Sequence, residues 1–478
     1  MAGRKYEPVI GIEVHAQLLT STKIFCSCRP EYGARPNTRV CPVCLGLPGA
    51  LPVLSEEAVD MAVMMGLALG CDIASRSVFA RKNYFYPDCP KNYQISMYDK
   101  PLCENGLVTL ETGQGEAEIR VERIHLEDDA GKMTHTGEGA SHVDFNRCGV
   151  PLIEIVTRPD IRSAGQASGY LKRLRQILRY LGICDGNLEE GSMRCDVNIS
   201  VREAGSDQLG TKTEIKNLNS FKAVEKGIEF EVERQIRVLE EGGSISQVTN
   251  LWDADNQRLI MMRSKEEAHD YRYFPEPDLL PLEVSEEKVS EIRDSLPELP
   301  LERERRFREQ YGLSDYDAAV LCAERSIADY YEEVAAGSGL PKKSANWVMR
   351  EVMGELKKSG LEIEKFTVKS ASLAELVRLI SDGTISGSAA GEVFEKMVQT
   401  GKEAKVLVAE LGLEQISESS ELEQMAARII EEHPEEAADY RAGKKKLIGF
   451  FMGQVMKESR GKANPGMARE ILTRKLEE

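Results

Sequence analysis

No stretch of this sequence is apolar for long enough to cross a bilayer. The longest nearly apolar run, Met61 to Cys71, has 11 residues between Asp60 and Asp72, against the roughly 20 that a spanning helix needs. Ser55 followed by Glu56 and Glu57 marks it as the start of a buried helix instead. Met1 to Glu7 offer no apolar signal region and no cleavage site, so the chain is expected to be unprocessed and cytoplasmic, with no membrane partner. Positive charge is scarce as well: 62 Lys and Arg face 79 Asp and Glu, a formal net charge of −17. That balance excludes a protein that coats nucleic acid or an anionic membrane over its whole surface, leaving only a local basic patch. Repeats and low-complexity tracts are absent. So are the GxxxxGK[ST] phosphate loop, the Gly-rich kinase loop with its VAIK partner and the GxSxG nucleophile elbow. Mature Met1-Ala2 supplies no N-terminal Cys or Thr nucleophile. Any ATP must therefore bind on another fold, and nothing here hydrolyses an amide by covalent catalysis.

What is present describes a folded, multi-domain chain. With 478 residues, 41% hydrophobic and 29% charged, the composition is globular and the length suits about three domains. Residues 1–292 read as strands and turns interrupted by helices at Gln166 to Leu181 and around Ala223 to Glu241, an α+β pattern. Pro281, Pro297 and Pro300 mark a junction, after which Leu373, Leu376, Val377 and Ile380 repeat at helical spacing until Gly383. Residues 293–405 are expected to form a helical domain and 406–478 a small tail domain. From Tyr440 to Glu478, ten Lys or Arg stand against four Glu, and Gly461 to Gly466 form a loop whose backbone suits a phosphate. A solvated helix face is the alternative reading of these charges.

Four of the 11 cysteines are clustered: Cys26-Ser27-Cys28 and Cys41-Pro42-Val43-Cys44, separated by turn formers that include Pro30, Gly33, Pro36 and Asn37. Two such knuckles fold onto one tetrahedral zinc, a closed structural site at 26–44, unless they are simply packed thiols. The scattered cysteines are expected to be buried as small hydrophobes.

The polar faces of two strands carry the candidate chemistry. Ile10, Ile12, Val14, Ala16 and Leu18 alternate with Gly11, Glu13, His15 and Gln17; Met193, Cys195, Val197, Ile199 and Val201 alternate with Arg194, Asp196, Asn198, Ser200 and Arg202. Either face alone also fits an exposed sheet surface. Glu154, however, lies in the apolar run Val150 to Val156, where an unpaired buried carboxylate costs several kcal/mol and demands a cation. Glu127, Asp128 and Asp129 add acids before a Gly turn, and Glu214 precedes Lys216 by two residues. Oxygen-rich ligands with one imidazole suit Mg2+ or Mn2+ better than zinc. The segment Arg81 to Lys91 combines cations with Tyr84, Phe85 and Tyr86, a mixture that suits a nucleotide and recurs at His269 to Pro275.

Six ordered segments, Gly11 to Leu18, Arg81 to Asp88, His125 to Lys132, Asp144 to Leu152, Met193 to Asn198 and Lys216 to Ser220, resemble the B-subunit family of tRNA-dependent amidotransferases (GatB), as do Gly453 to Lys457 and Gly461 to Pro465 in the tail. The resemblance implies a β-rich cradle, a helical domain and a helical tail that helps bind tRNA. It implies a heterotrimer with an amidase A subunit and a small C subunit, acting on mischarged tRNA. ATP would phosphorylate the side-chain carboxylate of Glu-tRNA(Gln) or Asp-tRNA(Asn), and ammonia from glutamine would displace the phosphate. On this reading Glu13, His15, Asp128, Glu154 and Asp196 are the expected catalytic metal ligands for Mg2+, with Glu127 and Glu214 as further ligands. Lys82, Arg194 and Lys216 are expected phosphate contacts, with Tyr84 and Asn198 lining the pocket. Cys26, Cys28, Cys41 and Cys44 would carry the structural Zn2+ found in some members. A small-molecule ATP-dependent ligase and a non-catalytic tRNA-binding scaffold are the competing classes.

Overall fold

The strand alternation read from the sequence becomes a sheet with one dry and one polar face. The computed structural model describes residues 5–112, 115–136, 139–264, 271–413, 419–459 and 463–477. His269, Asp270, Gly461 and Lys462, from the two motifs named above, lie outside the described residues. The chain divides into two units, Met1–Pro300 and Leu301–Glu478.

The first unit is built on a nine-stranded sheet. From one edge it runs Arg258–Ser264, Val248–Asp253, Thr213–Lys216, Met193–Glu203, Tyr6–Gln17, Pro151–Thr157, Gly115–Asp128, Cys103–Thr112 and Asp72–Ile73. All neighbours are antiparallel except Thr213–Lys216 beside Val248–Asp253. Helices Glu56–Ala68, Ala164–Tyr180 and Phe221–Glu240 each begin at a serine cap, Ser55, Ser163 and Ser220, whose hydroxyl accepts a first-turn N–H. Such a cap is worth about 1 kcal/mol. Their apolar sides bury Ile10, Ile12, Val14 and Ala16 together with Ile153, Ile155, Val197 and Ile199. Every intervening residue of these strands is thereby sent to the other face.

A smaller sheet, Phe274–Pro275, Phe79–Asn83 and Tyr93–Met97, holds Lys82 and the Tyr84 turn beside that polar face. Its link is a buried bidentate pair, Arg81 with Glu276 at 2.8 Å. At the opposite side, fully buried Glu231 accepts from Thr213 (2.7 Å), Gln235 (2.8 Å) and Arg234 (2.7 Å), fastening helix Phe221–Glu240 to the short strand that carries Glu214 and Lys216.

The expected boundary at residue 292 falls inside helix Glu286–Ser295. Ile292 is buried in the first core, with Leu296 and Leu299 packed against it, so the first unit continues to Pro300. The second unit is helical and contains two separate buried clusters, one from Phe307 to Val408 and one from Leu422 to Leu476. The expected tail start at 406 also shifts: Leu407 and Val408, on helix Ala404–Leu411, belong to the earlier cluster.

In the second unit Glu332 accepts from Arg306 (2.6 Å), Arg303 and the Tyr311 hydroxyl (3.0 Å). Burial opposes its ionisation, but the two guanidinium groups and the hydroxyl hold its carboxyl at about 2. The folded value lies below the unfolded one, near 4.5, so this stabilisation is complete above pH 4.5 and disappears as pH falls through 2. Glu332→Gln is therefore expected to lower the urea midpoint at neutral pH, with the difference from wild type shrinking as the pH approaches 2.

Candidate active site

The polar face floors a cleft of about 1110 Å³. Strand register, rather than sequence proximity, assembles its chemistry. His15 lies opposite Glu154 on one neighbouring strand and Arg194 on the other; Glu154 in turn lies opposite His125. Glu13 faces Asp196, and Asn198 faces Glu214.

Two ligand clusters result, each with its donor atoms within 4.8 Å of one another: His15, Glu127 and Glu154; and Glu13, Asp196 and Glu214. In the first, His15 Nε2 lies 3.3 Å from Glu154 and 3.5 Å from Glu127, and His125 Nε2 lies 3.3 Å from the same Glu154 oxygen. Burial by itself lowers the His15 pKa, but the adjoining Glu154 and Glu127 carboxylates overcome it and raise the imidazole to about 9. Burial likewise penalises the Glu154 carboxylate, and His125 and His15 hold it well below its ordinary value. In the second cluster, burial and the charges of Glu154, Asp196 and Glu214 raise the Glu13 carboxyl. Asn198 donates to Glu13 at 3.0 Å, and the Lys216 ammonium bridges Asp196 and Glu214, the latter at 3.0 Å. Imidazolium and ammonium thus neutralise the acids. The donor set, carboxylate oxygens with one imidazole, fits a hard divalent cation such as Mg2+ in either cluster.

Cations line the walls. Lys82 sits over the Tyr271 ring at 5.1 Å; burial opposes its charge, while Glu127, Tyr273 and Glu154 raise its pKa. Arg194 donates to buried Asp129 at 2.8 Å, and Arg147 and Gln17 reach the same carboxylate at 3.5 and 2.9 Å. Tyr84 lines the cleft and stacks on Tyr86 with ring centres 5.7 Å apart.

One expected ligand is placed elsewhere. Asp128 points to the opposite side of its strand from Glu127, where its carboxylate pairs with the Lys91 ammonium and accepts the Ile95 N–H at 2.6 Å. The reason is the two-residue period: His125 and Glu127 share the polar face, whereas Leu126 and Asp128 share the other. The same alternation would have pointed to His125. Asp129, just past the strand, and Tyr271, brought in by the small sheet, carried no periodic signal.

Residues 8–290 match the family described as GatB/GatE catalytic domain, and residues 329–476 match the GatB domain. The chain belongs to the GatB family. Among its relatives is the B subunit of the aspartyl/glutamyl-tRNA(Asn/Gln) amidotransferase of Thermodesulfovibrio yellowstonii, 53% identical over 474 residues that cover 99% of this chain and all of the relative. The B subunits of the same enzyme from Chlorobium phaeobacteroides and Carboxydothermus hydrogenoformans are 54% and 53% identical, each match covering 99% of both chains. Every cleft residue named above falls inside the GatB catalytic-domain match. No helix among the described residues is long and apolar enough to cross a membrane.

Away from the cleft, Cys26, Cys28, Cys41 and Cys44 bring their sulfurs within 4.8 Å of one another. Cys41 and Cys44 Sγ are 3.8 Å apart, matching the roughly 3.8 Å edge of a tetrahedron with Zn–S bonds of about 2.3 Å. The Cys44 thiol is lowered to about 5 by the hydrogen bond from Cys26, against burial, with Cys41 and the Lys23 charge assisting. The four residues fit a closed zinc site.

His15 binds a metal only as neutral imidazole, so metal entry must release its proton. Mg2+ affinity measured by calorimetry should rise roughly tenfold per pH unit from about pH 7 and level off above the raised value near 9. His15→Gln should flatten that slope; a slope retained in the variant would assign the released proton to another group.

Proposed function

We propose that this chain is the B subunit of a glutamine-dependent aminoacyl-tRNA amidotransferase that converts Glu-tRNA(Gln), Asp-tRNA(Asn) or both to the cognate amide. It works with an amidase A subunit and a small C subunit. The observation that carries this reading is the pair of carboxylate clusters in one cleft, flanked by Lys82 and Arg194. Phosphorylating a carboxylate brings two anions together, and the cleft combines sites for hard cations with fixed cationic side chains.

In the first step a side-chain carboxylate oxygen of the esterified amino acid attacks the γ-phosphorus of ATP, and ADP leaves. In the second, ammonia attacks the carbonyl carbon of the acyl phosphate, inorganic phosphate departs with the bonding pair, and a proton is lost from nitrogen. Bound Mg2+ supplies charge neutralisation and template geometry for both phosphate and carboxylate. His15, Glu127 and Glu154 would hold one cation and Glu13, Asp196 and Glu214 a second, and the Lys216 ammonium, paired here with Asp196 and Glu214, would then be available to a phosphate. Arg194, held by Asp129, and Lys82, over the Tyr271 ring, orient the transferring group. His125 fixes the Glu154 carboxylate for the first cation. The A subunit supplies ammonia, consistent with a chain that has no amidase nucleophile motif.

The tail contributes to tRNA binding through an uneven rather than an overall positive charge. From Ser419 to Glu478 there are 11 basic and 11 acidic side chains, and the basic ones concentrate after Tyr440. Lys444, Lys445 and Arg474 pair with Asp439, Glu477 and Glu423 of the same unit, leaving exposed positions such as Lys446 and Lys457 to meet phosphates.

In the reconstituted heterotrimer with ATP, glutamine and each mischarged tRNA, Glu154→Gln is expected to abolish amidation while subunit assembly persists. Unchanged turnover would remove Glu154 from the site. Deleting residues from Ser419 onward should weaken binding of mischarged tRNA, most strongly at low salt, as read by titration of labelled tRNA; equal affinity would exclude the tail from tRNA binding.

A further inference from the structure

Lys23 has no exposed surface. Its ammonium donates to the Arg39 carbonyl at 2.8 Å, approaches the Phe145 carbonyl at 3.5 Å and lies 3.7 Å from Cys44 Sγ. Among the described residues no carboxylate pairs with it. Two neutral carbonyls satisfy ammonium hydrogens but leave the charge unbalanced, and a buried unbalanced charge is costly. The only anion its contacts offer is a Cys44 thiolate. Four metal-bound thiolates around one divalent zinc carry a net charge of about −2, which an internal cation at this distance partly offsets.

The same residues reach the cleft. The loop between the two cysteine pairs is bonded to the turn before the Pro151–Thr157 strand: Asn37 Oδ1 accepts the Phe145 N–H at 2.8 Å, and Asn146 Oδ1 accepts the Arg39 N–H at 2.8 Å. Asn146 also donates to the Arg35 carbonyl at 2.7 Å. Next along that turn, Arg147 donates to the carbonyls of Ala130 and Gly131 at 2.9 and 2.7 Å and faces Asp129. We propose that Lys23 is the internal counter-cation of a metal-bound four-cysteine site, and that metal occupancy, transmitted through Lys23 and the Asn37–Asn146 cross-bonds, fixes the turn that holds Arg147 in the cleft.

The inference requires a metal at the four cysteines and not the amidation reaction, so its readouts are metal retention and backbone protection. Zinc-loaded and zinc-stripped full-length protein, wild type and with Lys23→Met or Lys23→Gln, are compared by chelator-driven zinc release and by amide hydrogen exchange. Lys23→Gln keeps an N–H donor without the charge and serves if the methionine variant does not fold. The expected result is zinc release at least tenfold faster in both variants, and faster exchange across residues 143–149 in stripped wild type and in loaded variants than in loaded wild type. A wild type that binds no zinc would overturn the metal site itself. Zinc release from Lys23→Gln at the wild-type rate would overturn the counter-cation, and protection of 143–149 that ignores zinc would overturn the coupling to the turn.

Discussion

Adjacent central strands of the first unit obey one geometric constraint: helices cover one face of the sheet, so every second side chain must go to the other. Ile10, Ile12, Val14, Ile153, Ile155, Val197 and Ile199 take the covered side. Glu13, His15, Glu154, Arg194 and Asp196 consequently meet in the cleft, with Asn198 donating to Glu13 behind them. Burial of the apolar half and assembly of the charged half are one event. A one-residue slip of any central strand would expose its apolar residues and at the same time dismantle a ligand cluster.

Concentrating carboxylates this way raises an electrostatic cost that the unit meets locally. His15 and His125 flank Glu154, Lys216 spans Asp196 and Glu214, and two guanidinium groups face Asp129. These acids are thus balanced by an imidazole and an ammonium within the cleft rather than by packed apolar atoms. Asp129 differs, being held by cations that are themselves bonded to the backbone or to the sheet. The −17 total of the chain therefore includes acids that serve the cleft as well as surface charge.

The charge pattern of the tail shows the limit of reading segments in isolation. A count begun at Tyr440 is strongly basic, but the folded cluster starts with Leu422 and brings in the acidic helix Ser419–Glu432. Arg474 pairs with Glu423 of that helix, and Lys444 and Lys445 are spent on Asp439 and Glu477. The domain boundaries moved for a similar reason: Pro-rich punctuation located the junctions within a few residues, but burial of Ile292 and of Leu407 decided which core each helix joined.

Much of the cradle was legible from residue order alone. Period-two alternation assigned faces to Glu13, His15, Arg194, Asp196 and Asn198, an acid in an apolar run singled out Glu154, and paired cysteines at knuckle spacing pointed to four converging sulfurs. All of these are local patterns, set by the stereochemistry of a strand or turn. Pairing across strands is not local, and it put His125 against Glu154 and Glu127 beside His15, while side-chain contacts between loops put Lys23 beside Cys44. Three consecutive acids at 127–129 look equivalent in sequence, but each step along a strand reverses the side chain, so Asp128 turns away from the cleft that Glu127 lines, while Asp129, just past the strand end, returns to the cleft and meets Arg194 and Arg147.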